Sequence, residues 1–141
     1  MRDIIFRGRR LDTKEFTYGY LWAKNNCTVG RRILIMDSAG NKYEVDQKTI
    51  GQFTGRTDKN GKEAYGGDIV QHLYSGNVGV IKFGLYLDCD MINGGHVGFY
   101  VDWQKNRDIL RKDLTFWLEL TEIIGKVHEH KHLLDGGKEE K

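Results

Sequence analysis

The sequence predicts a mainly β fold with short helical pieces. Proline is absent and glycine occurs 18 times among 141 residues, so the turns depend on Gly, Asn and Asp. Short runs rich in β-branched and aromatic residues alternate with these turn residues. Many short strands separated by tight turns favour a small barrel.

The first half of the chain predicts two hairpins and a connecting segment. In each hairpin, strand-forming residues flank a short polar turn. The strand pairs are 3–7 with 16–22 around a turn near 12–14, and 32–37 with 42–45 around 38–41, while 46–53 fits a strand or a short turn.

The second half continues the pattern. Its predicted strands are 69–74 and 79–87 around the turn Ser75-Gly76-Asn77, then 97–103, 113–120 and 123–127, with helical turns at 107–112 and 129–134. The segment 113–120 is predicted as a strand because Leu114, Phe116, Leu118 and Leu120 alternate, with Trp117 on the opposite face.

The order of elements between Gly67 and Phe83 makes the barrel prediction more specific. A Gly-Asp turn leads into an apolar strand, a polar hairpin follows, and a Gly-Val-Ile-x-Phe strand comes next. This order is typical of SH3-like barrels, in which the Gly-Asp step lets a strand bend sharply. We therefore expect an SH3-like barrel with additional N-terminal hairpins.

Composition excludes several classes of protein. Lys and Arg number 22 against 20 Asp and Glu, so the net charge of +2 does not by itself require a nucleic-acid surface. Cys27 and Cys89 form no C-x-x-C pair and are interpreted as buried or half-buried thiols in a reducing cytoplasm. No apolar run reaches about 18 residues, so neither a signal peptide nor a membrane span is expected.

The most informative segment spans residues 54–70. Asn60-Gly61 predicts a two-residue type I′ turn, because both residues tolerate the positive φ that this turn requires. Gly66-Gly67-Asp68 reverses the chain again before Ile69-Val70 opens a β-branched run. Tyr65 lies between the two turns.

This segment resembles the central motif of the YopX family. The family pattern falls on Thr54-Gly55, Asp58 to Gly61, Tyr65 and Gly67 to Val70, with Gly66 where the family usually has Glu. Residues 1–7, 18–22, 123–129 and 133–134 resemble its flanking segments, although His130-Lys131 replaces the usual Asn-Pro.

The resemblance implies a small phage or prophage protein with an SH3-like barrel, and the family has no established biochemical role. We expect one YopX-like domain over residues 1–141, with 134–141 as a disordered polar tail.

A calcium loop at Asp58-Lys59-Asn60-Gly61 is excluded by spacing. Such a loop needs Gly at its sixth position and a bidentate Glu at its twelfth. Counting from Asp58, these positions hold Glu63 and Ile69. A capped hairpin turn remains the interpretation of these residues.

Asp68 has two open interpretations. Its carboxylate either accepts backbone N–H groups to hold the Gly67 turn, or acts as a general base with His72, four residues along the same strand face. No nucleophile elbow, phosphate-binding glycine loop or metalloprotease helix is present. The structural interpretation is preferred.

Three histidines near the end of the chain are weak metal candidates. His128, His130 and His132 alternate, so on a strand they share one face, as zinc ligands do. The polar segment that follows favours a solvated terminus instead. No cofactor or physiological metal is expected.

Aromatic and basic residues suggest a binding surface. Trp22, Trp103, Trp117 and the seven tyrosines are candidates for a platform on which single-stranded nucleic acid or a peptide stacks, with a positive rim from Arg7, Arg9, Arg10, Arg31 and Arg32. The alternative places the large aromatic residues in the core and the arginines outside.

The sequence thus favours a non-catalytic module that binds a phage or host protein or a nucleic acid. The alternatives are a self-assembling structural protein and a small enzyme that uses Asp68 and His72. We expect a homo-oligomer, because unpaired strand edges are safest when another copy covers them. The expected location is the cytoplasm of a bacterial host cell, without membrane contact.

Overall fold

The computed structural model describes residues 4–26, 30–87, 95–103 and 114–135. The chain divides into two compact units, Met1–Phe53 and Thr54–Lys141. Within the described ranges no helix has the length and apolar character that crossing a bilayer requires. The predicted helical turn at 107–112, both cysteines and residues 136–141 of the predicted tail lie outside these ranges.

The first unit is an antiparallel sheet. Its elements are β1 (Phe6–Arg9), β2 (Phe16–Asn26), β3 (Gly30–Met36), β4 (Lys42–Glu44), a 3-10 helix (Gln47–Thr49) and the start of β5 (Gly51–Thr57), in the strand order β4-β3-β2-β1-β5. Ile33, Ile35 and Val45 form the core, against which Phe6 and Ile50 pack.

Strand β2 changes partner in its middle. Its residues 16–19 pair with β1, and residues 20–26 pair with β3. The change occurs at Gly19, where an added Cβ atom would lie 2.0 Å from the carbonyl oxygen of Met36. Only a residue without a side chain allows β3 to approach β2 so closely at this point.

The second unit contains the rest of β5, which pairs with β6 (Glu63–Tyr65), and a four-stranded antiparallel sheet. Its other elements are β7 (Asp68–His72), β8 (Val78–Leu87), β9 (Gly95–Trp103), α1 (Leu114–Leu118), β10 (Thr121–Lys126) and a 3-10 helix (Lys131–Asp135), with the sheet order β10-β7-β8-β9. Val70, Ile81 and Val101 lie at the centre of its core.

The mainly β prediction is confirmed, including the hairpins around residues 12–14, 38–41 and 75–77. The predicted SH3-like barrel is not confirmed. Among the described strands no pairing joins β10 to β9, so the four-stranded sheet is open. The ambiguous stretch 46–53 begins as the 3-10 helix, whose Lys48 N–H donates to Asp46 Oδ1 at 3.1 Å.

The strand predicted at 113–120 is wrong, because residues 114–118 form a helix. Leu114 and Leu118 are both buried, and they are spaced i, i+4, which fits one helix face as well as one strand face. The turn after the helix is fixed by Thr121 Oγ1, which donates to the carbonyl oxygen of Trp117 at 2.9 Å. The spacing of apolar residues in this segment therefore did not distinguish a helix from a strand.

Candidate functional site

The turn of the central motif differs from the predicted type I′. Gly61 has φ +84°, but Asn60 is not in the left-handed region, where Lys14 is the sole non-glycine residue of the described ranges. The Gly61 N–H donates to the carbonyl oxygen of Asp58 at 3.0 Å, and Asp58 Oδ1 accepts the N–H groups of Asn60 and Lys62 at 2.9 Å each. These bonds form a type I turn closed by a left-handed glycine.

The same turn occurs between β3 and β4. Asp37 Oδ1 accepts the N–H groups of Ala39 and Asn41 at 3.0 and 2.9 Å, and Gly40 has φ +89°. The Asp-x-x-Gly pattern therefore specifies both turns, because a carboxylate at the first position accepts the backbone donors of the turn.

Asp58 has a second contact that the sequence did not indicate. Its Oδ2 accepts the N–H of Ile123 at 3.0 Å, and the two residues are 65 positions apart. Asp58 is only 5% exposed. One carboxylate thus closes the turn and fastens it to β10.

Asp68 lies at the second reversal of the motif. It is 2% exposed, and its Oδ2 accepts the N–H of Tyr65 at 2.8 Å. Gly67 has φ +94°, donates to the carbonyl oxygen of Ile81 and accepts from Val127, both at 2.8 Å. The motif residues 65–68 therefore form a hydrogen-bonded reversal next to β8.

Asp68 and His72 occupy separate environments. Four residues along a strand place their Cα atoms about 13 Å apart, too far for direct proton transfer between the side chains. His72 Nδ1 accepts the N–H of Ser75 at 3.0 Å, and its ring lies edge-on to Trp117 at 5.6 Å. The imidazole thus supports the β7–β8 turn.

We expect Asp68→Ala to lower the free energy of unfolding by about 2 kcal/mol, because it removes a buried acceptor of the Tyr65 N–H. Asp68→Asn should cost less, since the amide oxygen can still accept this bond. Thermal unfolding of the two variants tests the prediction. An Asp68→Ala protein as stable as the parent would contradict the structural role, and an Asp68→Asn protein that is stable but loses an activity would indicate a general base.

The three histidines do not share a strand face, because residues 127–129 form a turn and a 3-10 helix follows. His130 Nδ1 accepts the N–H of Lys126 at 3.1 Å, and its ring lies where a side chain on Gly125 would be. The described part of the chain holds no cluster of three His, Cys, Asp or Glu side chains suited to a metal ion.

The structure separates the arginines of the predicted rim. Arg7 is 3% exposed, with its guanidinium 5.5 Å from the ring centre of Phe16. Arg10 binds both carboxylate oxygens of Asp12, and this hydrogen bonding lowers the pKa of Asp12. Arg9 is partly buried, and its backbone N–H donates to Thr49 Oγ1. The Arg31 side chain lies outside what the structure describes.

Trp22 belongs to an exposed row of aromatic side chains on β2. Tyr18, Tyr20 and Trp22 alternate along the strand and are 43, 57 and 42% exposed. Directly opposite residues of an antiparallel pair share a face, so the register adds neighbours from β3 and β4, whereas Arg7, opposite Tyr18 on β1, is buried. We call this surface the aromatic face; it consists of Tyr18, Tyr20, Trp22, Lys24, Arg32, Leu34, Met36, Lys42 and Glu44.

The aromatic face carries three cations and one carboxylate. Lys42 Nζ lies 4.0 Å from the ring centre of Trp22, and Arg32 Nη2 contacts Glu44 Oε1 at 2.9 Å. The opposite side of β3 presents the buried Ile33 and Ile35 to the core. On β3 the strand alternation therefore turns Ile33 and Ile35 inward and Arg32 toward the aromatic face.

The other two tryptophans do not contribute to an exposed platform. Trp103 is buried, and Trp117 packs edge-on against it with ring centres 5.1 Å apart, in the core of the second unit. The predicted stacking platform is thus reduced to Trp22 with Tyr18 and Tyr20, and the predicted positive rim contributes Arg32. Lys24 and Lys42 were not singled out from the sequence, because their place on this face depends on the strand register.

Comparison with known proteins agrees with the motif. The sequence model of the YopX protein family matches residues 6–135. No curated protein matches the chain. The family match includes the Asp58 turn, the Asp68 reversal and the strands of the aromatic face. The chain belongs to the YopX family.

Proposed function

We propose that this protein is a non-catalytic binding module whose ligand is a nucleic acid and whose binding surface is the aromatic face. The observation that supports the proposal is the exposed row of Tyr18, Tyr20 and Trp22 beside Lys24, Arg32 and Lys42. Large aromatic side chains that remain exposed together mark interaction sites more often than isolated ones do. Interleaved cations favour an anionic partner.

The local charge favours a nucleic acid over a protein ligand. The whole chain has a net charge of only +2, yet this one face has three cations against Glu44. A surplus of this kind suits a phosphate backbone, whose neutralisation releases counterions and strengthens binding. The two buried carboxylates of the motif, Asp58 and Asp68, accept backbone N–H groups, which supports a structural role for both.

The proposal extends to the finer expectations from the sequence. These are an SH3-like arrangement of the second unit, an origin in a phage or prophage, a place in the bacterial cytoplasm and a homo-oligomeric state. Phe83 and Val97, which are 60 and 73% exposed on β8 and β9, favour self-association. Light scattering should accompany every binding measurement, because an oligomer presents several aromatic faces.

Removing two cations from the aromatic face should weaken binding. We expect Lys24→Gln/Lys42→Gln to bind a fluorescein-labelled oligonucleotide about tenfold more weakly at low salt, as measured by fluorescence anisotropy. The slope of log affinity against log salt should fall by about 0.7 for each phosphate that the variant no longer neutralises. The reason is that Lys42 Nζ lies 4.0 Å from the Trp22 ring centre and Lys24 lies two residues beyond Trp22 on the same strand face.

The matched control is Lys48→Gln/Lys59→Gln, which removes the same charge from two exposed lysines outside the aromatic face. This control should bind like the parent protein. Equal weakening by both double variants would indicate non-specific attraction to the whole chain. If the parent protein binds no oligonucleotide at low salt, the proposal is wrong.

A further inference from the structure

We propose that the aromatic face selects unpaired strands, with bases stacked on Tyr20 and Trp22. This inference rests on the proposed function and specifies its ligand as single-stranded nucleic acid. Tyr20 is the most exposed ring of the row at 57%, and Trp22 is 42% exposed. The two residues are one strand period apart, which places their Cα atoms about 6.7 Å apart along β2.

Duplex and single strand differ in what they offer such a surface. In a duplex the base faces are stacked on one another, whereas an unpaired strand exposes them to aromatic side chains. The major groove admits an α-helix or a two-stranded β-ribbon, whereas the aromatic face spans the three strands β2, β3 and β4 and is broader than either. The aromatic face should therefore prefer single strands, because their bases are accessible for stacking.

The apolar residues directly opposite the two rings also suit contact with bases. Leu34 lies directly opposite Trp22, and Met36 lies directly opposite Tyr20. Both are half-buried, so part of their apolar surface remains exposed on this face. A base stacked on either ring would cover this apolar surface as well.

Binding of a base also moves the Lys42 side chain. Its ammonium lies 4.0 Å from the centre of the Trp22 ring, where a stacked base would have to lie. A base that takes this place displaces the ammonium, which can then contact the phosphate of the same strand. The ring keeps a favourable partner on its face in both states, a cation before binding and a base after it.

Lys24 and Arg32 complete the phosphate contacts. They lie directly opposite each other on β2 and β3, two pairs beyond Trp22 and Leu34 and on the same face of the sheet. Arg32 forms an ion pair with Glu44, so the exposed Lys24 is the more available cation of the two for a phosphate. A strand that runs along β2 thus meets rings and then cations.

The test compares ligands of equal length and variants of one ring. Twelve-nucleotide oligothymidylate, oligouridylate and a duplex of the same length are titrated into the parent protein at about 50 mM salt. At least one of the two single strands should bind about tenfold more tightly than the duplex, and the two show whether DNA or RNA is preferred. Binding should also quench tryptophan fluorescence, because Trp22 is the exposed tryptophan.

Tyr20→Ala should weaken binding of the preferred single strand about tenfold, while Tyr20→Phe, which keeps the ring, should stay within about twofold. Duplex binding should change little in either variant. Thermal unfolding of both variants shows whether the fold is retained, and a substitution at the neighbouring ring serves as the test if the Ala variant unfolds. In that case, Trp22→Phe should retain single-strand binding and lose the quenching.

Two outcomes would overturn the inference, and they are distinguishable. If duplex and single strands bind equally and Tyr20→Ala binds like the parent, stacking is wrong, yet the nucleic-acid proposal stands when Lys24→Gln/Lys42→Gln still weakens binding. If no oligonucleotide binds to the parent protein, both the inference and the proposed function are wrong.

Discussion

Gly19→Ala should destabilise the first unit by about 3 kcal/mol, because the new methyl group would meet a backbone atom that cannot move independently. The added Cβ would lie 2.0 Å from the carbonyl oxygen of Met36 and 2.8 Å from its carbonyl carbon. Relief requires β3 to move away from β2 at the residue where β2 changes partner. Urea denaturation measures the loss, and amide hydrogen exchange in β2 and β3 locates it.

Gly98→Ala is the matched control for this substitution. Gly98 also lies inside an antiparallel pair, opposite Gly84, but a Cβ added there meets no atom within 4 Å. Its cost should be within about 0.5 kcal/mol of zero. A Gly19→Ala protein with the denaturation midpoint of the parent would contradict the close approach of β3.

Asp58→Ala should cost about 4 kcal/mol of unfolding free energy, the largest effect expected from a side chain of the motif. The substitution removes the acceptor of Asn60 and Lys62 in the turn and the acceptor of the Ile123 N–H in β10. Asp58→Asn should lie between the alanine variant and the parent, because the amide has one acceptor oxygen. Denaturation in urea measures both variants.

Asp37→Ala separates the two roles of Asp58. Asp37 makes the same pair of turn bonds, but its turn is exposed, and within the described ranges its carboxylate bonds stay inside that turn. We expect a loss of about 1 kcal/mol from Asp37→Ala. Equal losses from Asp37→Ala and Asp58→Ala would show that the bond to Ile123 contributes nothing.

Local chemistry accounts for what the sequence predicted well. The Asp-x-x-Gly pattern places turns at Asp37 and Asp58 because all the necessary bonds lie within five residues. Trp22 and the tyrosines were predicted as candidates for a stacking platform, and the exposed row of Tyr18, Tyr20 and Trp22 follows from the strand period of two once β2 is placed. Turn positions and strand faces are therefore readable from neighbouring residues.

Long-range pairing accounts for what the sequence did not predict. The bond from Asp58 to Ile123 joins segments with no shared local pattern. Arg7 was expected at the surface, yet it is buried, because its burial depends on what packs around the sheet. The helix at 114–118 replaced a predicted strand, since Leu114 and Leu118 fit either period and tertiary contacts decided between them.

The link from Asp58 to Ile123 has a consequence for folding during synthesis. At the usual rate of about 5–20 residues per second, the ribosome needs roughly 3–13 s to add the 65 residues that separate the two partners. During that interval the Asp58 carboxylate must stay hydrated, so the second unit cannot reach its final packing. The first unit contains all of its own strand partners up to Phe53, and it can fold meanwhile. The aromatic face should thus be complete on the nascent chain several seconds before the second unit closes.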